Sequence, residues 1–211
     1  MSPLLIALLG VLLVPLFVTT WRTTLFGLAL QGFLMAWIAQ RINPESASIG
    51  DWLTMLDLVV VRGLWAPIAL YGALRAQQAS ERGDVIPPNL LSWTIALGMV
   101  LAAFSFADAL DVGGGDDQQT LVAVATAAVL LGLLLLATQP GPFSQMVGAI
   151  RIENGIALFE LGGDHHRQAI GIQIAQIVIV VVTISLFRWY LKALHTIPPA
   201  GPGPGQEQPT L

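Results

Sequence analysis

Seven stretches of mainly apolar residues, each close to the length that a helix needs to cross a bilayer, constrain this chain more than any other feature of its sequence. They lie at roughly 3–20, 24–40, 52–73, 90–108, 120–138, 142–161 and 170–191. A spanning helix needs about 20 such residues, because the hydrocarbon core is about 30 Å thick and each residue rises about 1.5 Å. Hydrophobic residues make up 55% of the chain and charged residues 10%, which is unusual for a soluble domain. The sequence therefore predicts an all-α integral membrane protein of about seven transmembrane helices.

The distribution of Lys and Arg predicts how these spans are oriented. If the N-terminus is outside, most basic residues near the spans fall in inner loops and the tail. The inner residues are Arg22, Arg75, Arg82, Arg188 and Lys192, and the outer ones are Arg41 and Arg167. Basic residues accumulate on the cytoplasmic side of membrane proteins. We therefore expect a multi-pass protein of the cell inner membrane with its N-terminus outside and its C-terminus in the cytoplasm.

Several classes of function are excluded by what the chain lacks. It has no Cys, which removes thiolate metal sites, iron–sulfur ligation and disulfides. His165 and His166 lie in a glycine turn without a further ligand at a fixed spacing, which favours a polar turn over a metal site. The basic residues are scattered and form no patch for nucleic acid. Nucleotide-binding and hydrolase motifs are absent from the sequence, so we expect no catalytic residue, no metal and no cofactor.

The sixth apolar stretch carries two opposite charges, Arg151 and Glu153. A charged side chain at the centre of a bilayer costs at least about 2.5 kcal/mol, so it is retained where it faces protein, water or a moving ion. Two residues correspond to about 200° around an α-helix, so these side chains point to opposite sides. Each is therefore expected to find its partner on another helix, and Glu153 is the first candidate for a functional residue.

Further polar residues could connect with Glu153. Glu160 is seven residues on, on nearly the same face and about 10 Å away along the axis. Gln173 and Gln176 lie three apart in the last apolar stretch, at depths between the two glutamates if the helices pack antiparallel. A relay Glu160, Gln173, Gln176, Glu153 with water is geometrically possible. Alternatively, the glutamines only hydrogen-bond across neighbouring helices and hold them together.

The third apolar stretch contains a second polar group around Arg62. Pro67 has no amide hydrogen for the carbonyl of Gly63, so the helix is predicted to kink just beyond Arg62. Asp57 lies five residues earlier, about 140° away on an α-helix, which makes an ion pair within the helix poor. We therefore expect Arg62 to pair with a carboxylate of another helix or of a partner subunit. In the alternative, Arg62 stacks on Trp65 and reaches the lipid headgroups.

Two short motifs resemble a known family. The stretch Gly148-Ala149-Ile150-Arg151-Ile152-Glu153-Asn154-Gly155-Ile156-Ala157-Leu158 is similar to component E of hydrogenase-4-type complexes, which carries a comparable Glu-Asn-Gly stretch. Val61-Arg62-Gly63-Leu64-Trp65-Ala66-Pro67 also resembles that family, in which a basic residue precedes the proline. The resemblance extends from about Trp52 to Lys192.

The last three apolar stretches further resemble the K subunit of complex I and the C subunit of Mrp-type cation/proton antiporters. In the K subunit a glutamate occupies the position of Ile150, and this chain has Glu153 one turn on instead. A second carboxylate of those relatives corresponds here to Gln173 or Gln176. The chain thus divides into a four-helix membrane region at 1–115, a K-like three-helix region at 116–195 and, from its Pro/Gly composition, a disordered cytoplasmic tail at 196–211.

The resemblance implies a non-catalytic membrane subunit of an oxidoreductase complex, placed in the bilayer among antiporter-like and linker subunits. Such a subunit contributes to a proton or sodium path coupled to redox chemistry in other subunits. Glu153 would be the protonatable centre of this path. Arg151 and Arg62 would bias the pKa of Glu153 or pair with carboxylates of partner subunits. Glu160, Gln173 and Gln176 would order water. One alternative is a cation/proton antiporter or inorganic-carbon accumulation complex without redox function. Another is a purely structural scaffold subunit.

Overall fold

Helices account for nearly all of the chain that the structure describes. The computed structural model describes residues 2–18, 20–42, 44, 48–76, 90–110, 115–139, 141–162 and 170–196. The helices are α1 (Ser2–Phe17), α2 (Trp21–Ile42), α3 (Ile49–Met55), a π-helical segment (Leu56–Trp65), α4 (Ala66–Ala76), α5 (Leu90–Ala109), α6 (Asp116–Thr138), α7 (Pro142–Gly162) and α8 (Ile170–Thr196). Because α3, the π segment and α4 follow one another without a gap, we call them together the central rod. The all-α prediction is confirmed for these residues, and one rod corresponds to each predicted apolar stretch.

Four of the described helices are long and apolar enough to cross a membrane. They cover Trp21–Ile42, Ile49–Arg75, Asp116–Thr138 and Ile170–Ala193, whereas the apolar parts of α1 and α5 are shorter, at Pro3–Val14 and Trp93–Ala109. α7 does not belong to this set, since Arg151, Glu153 and Asn154 reduce its hydropathy. The count of seven spans and the orientation of the termini therefore remain predictions.

α6 and α7 are in close contact through glycines. A Cβ on Gly132 would lie 2.7 Å from Cγ1 of Ile152. A Cβ on Gly155 would lie 2.8 Å from Cγ2 of Val129 and 3.1 Å from its backbone nitrogen. Small residues allow helices in a membrane to approach closely and gain van der Waals contact. This interface fixes the position of α7, which carries Arg151 and Glu153.

A second close approach joins α2 to the central rod. A Cβ on Gly32 would lie 2.7 Å from Cα of Gly63 and 2.9 Å from the carbonyl oxygen of Leu58. The two backbones therefore touch where they cross, and the π segment is held against α2.

α8 packs more loosely than the other long helices, with 11% of its apolar span buried in the chain. Val180 and Ile184 belong to a buried apolar group that also includes residues of α2, the central rod and α7. The predicted polar turn at His165 and His166 and the tail beyond Thr196 lie outside the described residues.

Candidate functional site

Asp57 and Arg62 form a buried ion pair within the central rod. Nε of Arg62 donates to Oδ2 of Asp57 at 2.7 Å, and the Arg62 side chain is 5% exposed. In a π-helix the backbone bonds run from residue i to i+5, so residues five apart come to lie close on one side. The amide of Ala66 makes such a bond with the carbonyl of Val61. Our expectation that this pair would be poor was wrong because it assumed α-helical spacing.

Pro67 lies just beyond the π segment, which ends at Trp65. Its ring would clash with the carbonyl four residues earlier in an α-helix, and it has no amide hydrogen to donate. π-helical turns are one of the recognised irregularities at which helices bend. The predicted kink just beyond Arg62 stays a prediction, and the irregularity that is present consists of widened π-helical turns on the N-terminal side of Pro67.

Arg62 also connects the central rod with α7. Its Nη1 donates to Oδ1 of Asn154 at 2.8 Å, and Asn154 is fully buried. Arg62 faces protein, as predicted, and its burial excludes the alternative in which it reaches the headgroups. The carboxylate that Arg62 hydrogen-bonds is that of Asp57 in the same rod, whereas the carboxylate of another helix with which it interacts electrostatically is that of Glu153 in α7.

Glu153 lies beside this ion pair. Its carboxylate is close enough to interact electrostatically with both Arg62 and Asp57. One of its oxygens, Oε2, is buried without a hydrogen-bond partner among the described residues. Glu153, Asn154, Arg62 and Asp57 therefore form a single group, which we call the charged cluster.

Arg151 points away from the charged cluster and binds α1. Its Nη1 donates to the carbonyl oxygen of Leu12 at 2.6 Å and its Nη2 to that of Val11 at 3.3 Å. In an α-helix the carbonyl of Val11 would accept from residue 15, which is Pro15 and has no amide hydrogen. The guanidinium of Arg151 thus donates to the carbonyl of Val11, for which α1 itself has no amide donor. A partner on another helix was predicted and is confirmed, but these contacts indicate that Arg151 holds α1 in place.

A small polar cavity lies where the central rod, α7 and α8 meet. Its volume is about 30 Å³, enough for about two water molecules. The polar residues that line it are Thr54, Asp57, Glu160, Gln173 and Gln176, and the apolar ones are Leu53, Leu58, Ala157, Leu161 and Ile177. We call this space the polar cavity.

Hydrogen bonding in the polar cavity is only partly satisfied by the described residues. Nε2 of Gln176 donates to Oε1 of Glu160. Oδ1 of Asp57 and Oε1 of Gln173, atoms of two of the lining residues, are buried without a hydrogen-bond partner among the described residues. Both of these atoms are acceptors, so any group that satisfies them must be a donor or a cation.

The order of the polar residues differs from the predicted relay. Glu160, Gln173 and Gln176 do come together, but Glu153 is not among the described residues that line the cavity. Asp57 lines the cavity and also binds Arg62, so it joins the cavity to the charged cluster. Sequence reasoning missed Asp57 as a site residue. The signal that could have revealed it is the proximity of Gly63 and Pro67, which favours an irregular helix.

Comparison of the chain with protein-family models, with curated proteins and with solved structures finds no match. The described residues form a helical protein with several apolar helices long enough to cross a membrane. Within it, the charged cluster lies beside the polar cavity. The resemblance to hydrogenase-4 component E stays a prediction from the sequence.

Proposed function

We propose that this chain is a membrane subunit of a complex I-like or hydrogenase-4-like assembly and contributes there to a proton or sodium path. The electron-transfer chemistry would belong to other subunits, because the sequence has no thiolate ligands for a redox centre. Antiporter-like and linker subunits would be its neighbours in the bilayer.

The observation that carries this proposal is a series of buried and half-buried polar groups that extends across three helical rods. Glu153 interacts with Arg62, Arg62 binds Asp57, and Asp57 lines the cavity that holds Glu160, Gln173 and Gln176. Ionisable residues inside membrane segments are rare and mark ion and proton paths. This series of polar groups, which joins two carboxylate regions through an arginine, supports such a path.

Each residue has a distinct role in this account. Glu153 exchanges a proton on the side of α7 that faces the central rod. Arg62 and Asp57 connect it with the polar cavity, where Glu160, Gln173 and Gln176 order the water or ion. Arg151 anchors α1 and does not take part in transfer.

A structural scaffold is the second candidate, and the contact between Arg151 and α1 favours it. Two donors of this arginine bind backbone carbonyls of another helix, which is a packing role. If the charged cluster has the same purpose, the chain would only hold its neighbours together.

The assembly is tested by purifying the complex through a tag on this chain and identifying the bound proteins by mass. Antiporter-like and linker subunits are the expected partners. If redox subunits are absent while antiporter subunits are present, the antiporter or inorganic-carbon alternative replaces the redox-coupled one. Recovery of this chain without membrane partners would refute a subunit role.

The path is tested by Glu153→Gln in vesicles that hold the whole complex. The amide keeps the size of the side chain and its ability to accept a hydrogen bond but cannot exchange a proton. Uptake of protons or sodium should therefore fall while the subunit content is unchanged. Asp108→Asn is the matched control, because Asp108 is exposed and accepts a bond from Gln119. Unchanged uptake with Glu153→Gln would favour the scaffold.

A further inference from the structure

The two ends of the helical bundle carry different charges, and three aromatic rings define one of these ends. The ring centroids of Trp21 and Phe143 are 5.4 Å apart, and those of Phe143 and Phe187 are also 5.4 Å apart. The start of α2, the start of α7 and the later part of α8 therefore meet there. Arg22 follows Trp21 directly and Arg188 follows Phe187, so both arginines lie at this end.

Two further basic residues lie at the same end. Lys192 is about one helical turn beyond Arg188 on α8. A Cβ on Gly50 would lie 3.3 Å from Oε1 of Gln173, so the central rod and α8 begin side by side at the opposite end. α4 then runs alongside α8, and Arg75 in its last turn arrives at the end that carries Arg188. We call the surface formed by Arg22, Arg75, Arg188 and Lys192 the basic end.

The opposite end of the bundle is mainly acidic. The hydrogen bond from Gln118 to the carbonyl of Gly162 brings the start of α6 to the end of α7 there. The acidic residues that the structure describes at this opposite end are Asp51, Asp108, Asp116 and Asp117, and the basic one is Arg41. Among the described residues, no Asp or Glu lies at the basic end, so its positive charges are not compensated within that part of the chain.

Exposed aromatic residues place the basic end at the level of lipid headgroups. Trp189 is 69% exposed and Tyr190 is 51% exposed, and they follow Arg188 in α8. Trp and Tyr accumulate where the hydrocarbon of a bilayer meets the headgroups, because each combines an apolar ring with a polar group. Since 11% of the apolar span of α8 is buried in the chain, most of its apolar surface is available to acyl chains.

We propose that the basic end binds anionic phospholipids, whose phosphates pair with Arg188 and Lys192 while their acyl chains lie along α8. Residues four apart lie on one side of a helix, with their Cβ atoms about 6 Å apart, so these two side chains can reach one headgroup. Arg22 and Arg75 add positive potential around them. The exposed rings of α8 favour a lipid over an acidic protein as the partner.

This inference is independent of the proposed function. The basic end lies away from the polar cavity, and it attracts anionic lipids equally whether the chain carries ions or only holds its neighbours together.

The test is fluorescence quenching of the purified full-length chain in phosphatidylcholine vesicles that contain a minor fraction of lipid with brominated acyl chains. Bromine quenches a tryptophan that it contacts, and the difference between the wild type and Trp189→Phe gives the signal of Trp189. We expect brominated phosphatidylglycerol to quench Trp189 more strongly than the same fraction of brominated phosphatidylcholine, and high salt to reduce this difference by screening. Equal quenching by the two lipids would overturn the proposal. Removal of the difference by inorganic phosphate at equal ionic strength would show a phosphate site in place of a lipid site.

Two substitutions locate the lipid. Arg188→Gln and Lys192→Gln should each reduce the preference for phosphatidylglycerol about fivefold, because one positive charge near the phosphate is lost. Arg41→Gln is the matched control, since Arg41 is an exposed arginine in the last turn of α2, at the opposite end of the bundle. Unchanged preference in Arg188→Gln and Lys192→Gln, or an equal loss in Arg41→Gln, would contradict binding at the basic end. A wild type without lipid preference, together with loss of a partner protein from the tagged complex in Lys192→Gln, would assign the basic end to an acidic protein surface instead.

Discussion

The two sides of α7 present different groups to the neighbouring helices: one side is apolar and the other is polar. Towards α6, its glycines touch the partner helix and the contact is apolar, and 56% of the apolar span of α6 is buried. Towards the central rod and α8, α7 presents Glu153, Asn154 and Glu160, and 11% of the apolar span of α8 is buried. One side of α7 therefore fixes the helix in position, and the other side places ionisable groups beside the polar cavity.

This division is physically reasonable. Lipid is as apolar as Leu, so tight van der Waals contact between small residues gives helices in a membrane much of their association energy. Buried charges add little net stability even when they are paired, because they must lose their hydration. Under the proposed function, these charges serve ion transfer and not stability.

The largest expected effect on stability comes from removing the buried ion pair in the central rod, on the polar side of α7. Arg62→Met removes the partner of buried Asp57 and should reduce the free energy of unfolding by about 4 kcal/mol, since an uncompensated charge remains. Unfolding of the purified chain by an anionic detergent measures the change. The double substitution Asp57→Leu with Arg62→Met should cost less than Arg62→Met alone. A double variant that is less stable than Arg62→Met would mean that the pair is held for stability.

Disrupting the apolar contact between α7 and α6 should have a somewhat smaller effect on stability. Gly155→Leu forces a side chain against the backbone of Val129 and should reduce the free energy of unfolding by about 3 kcal/mol through overpacking. Gly98→Leu in α5 is the control, because a Cβ there meets nothing within 4 Å. The same unfolding assay applies. Equal stabilities of these two variants would contradict the close approach of α6 and α7.

A third prediction separates Arg151 from the charged cluster. Arg151→Met leaves the carbonyls of Val11 and Leu12 without these donors and should reduce the free energy of unfolding by about 2 kcal/mol. Hydrogen exchange should show faster exchange in α1, whereas uptake per assembled complex should stay near that of the wild type. Arg75→Met, at an exposed position, is the control. Loss of uptake with α1 unchanged would place Arg151 in the path.

The sequence predicts the helices well because apolar length is a property of each segment alone. α7, for example, was expected at 142–161 and is Pro142–Gly162. Burial of Arg62 was also predictable, since an arginine amid apolar residues and near a helix-breaking proline must face protein in a membrane.

What could not be predicted depends on contacts between segments and on helix geometry. The ion pair of Asp57 with Arg62 requires a π segment, and spacing rules assume α-helical turns of 3.6 residues. The contact of Arg151 with α1 joins residues far apart in the chain, although Pro15 signals an unpaired carbonyl. The glycines of α6 and α7 were overlooked, and their signal is the seven-residue spacing of Gly148 and Gly155 on one helix face.

The most direct test of the account is ion uptake by vesicles holding the whole complex with Asp57→Asn, because Asp57 alone joins the charged cluster to the polar cavity among the described residues. The amide can still accept the bond from Arg62, and the carboxylate of Glu153 remains to compensate the charge of Arg62, so the complex should assemble with its normal subunit content. We predict that proton or sodium uptake is lost as fully as with Glu153→Gln, while Asp108→Asn retains it. Wild-type uptake by an assembled Asp57→Asn complex would contradict a path through this subunit by way of Asp57.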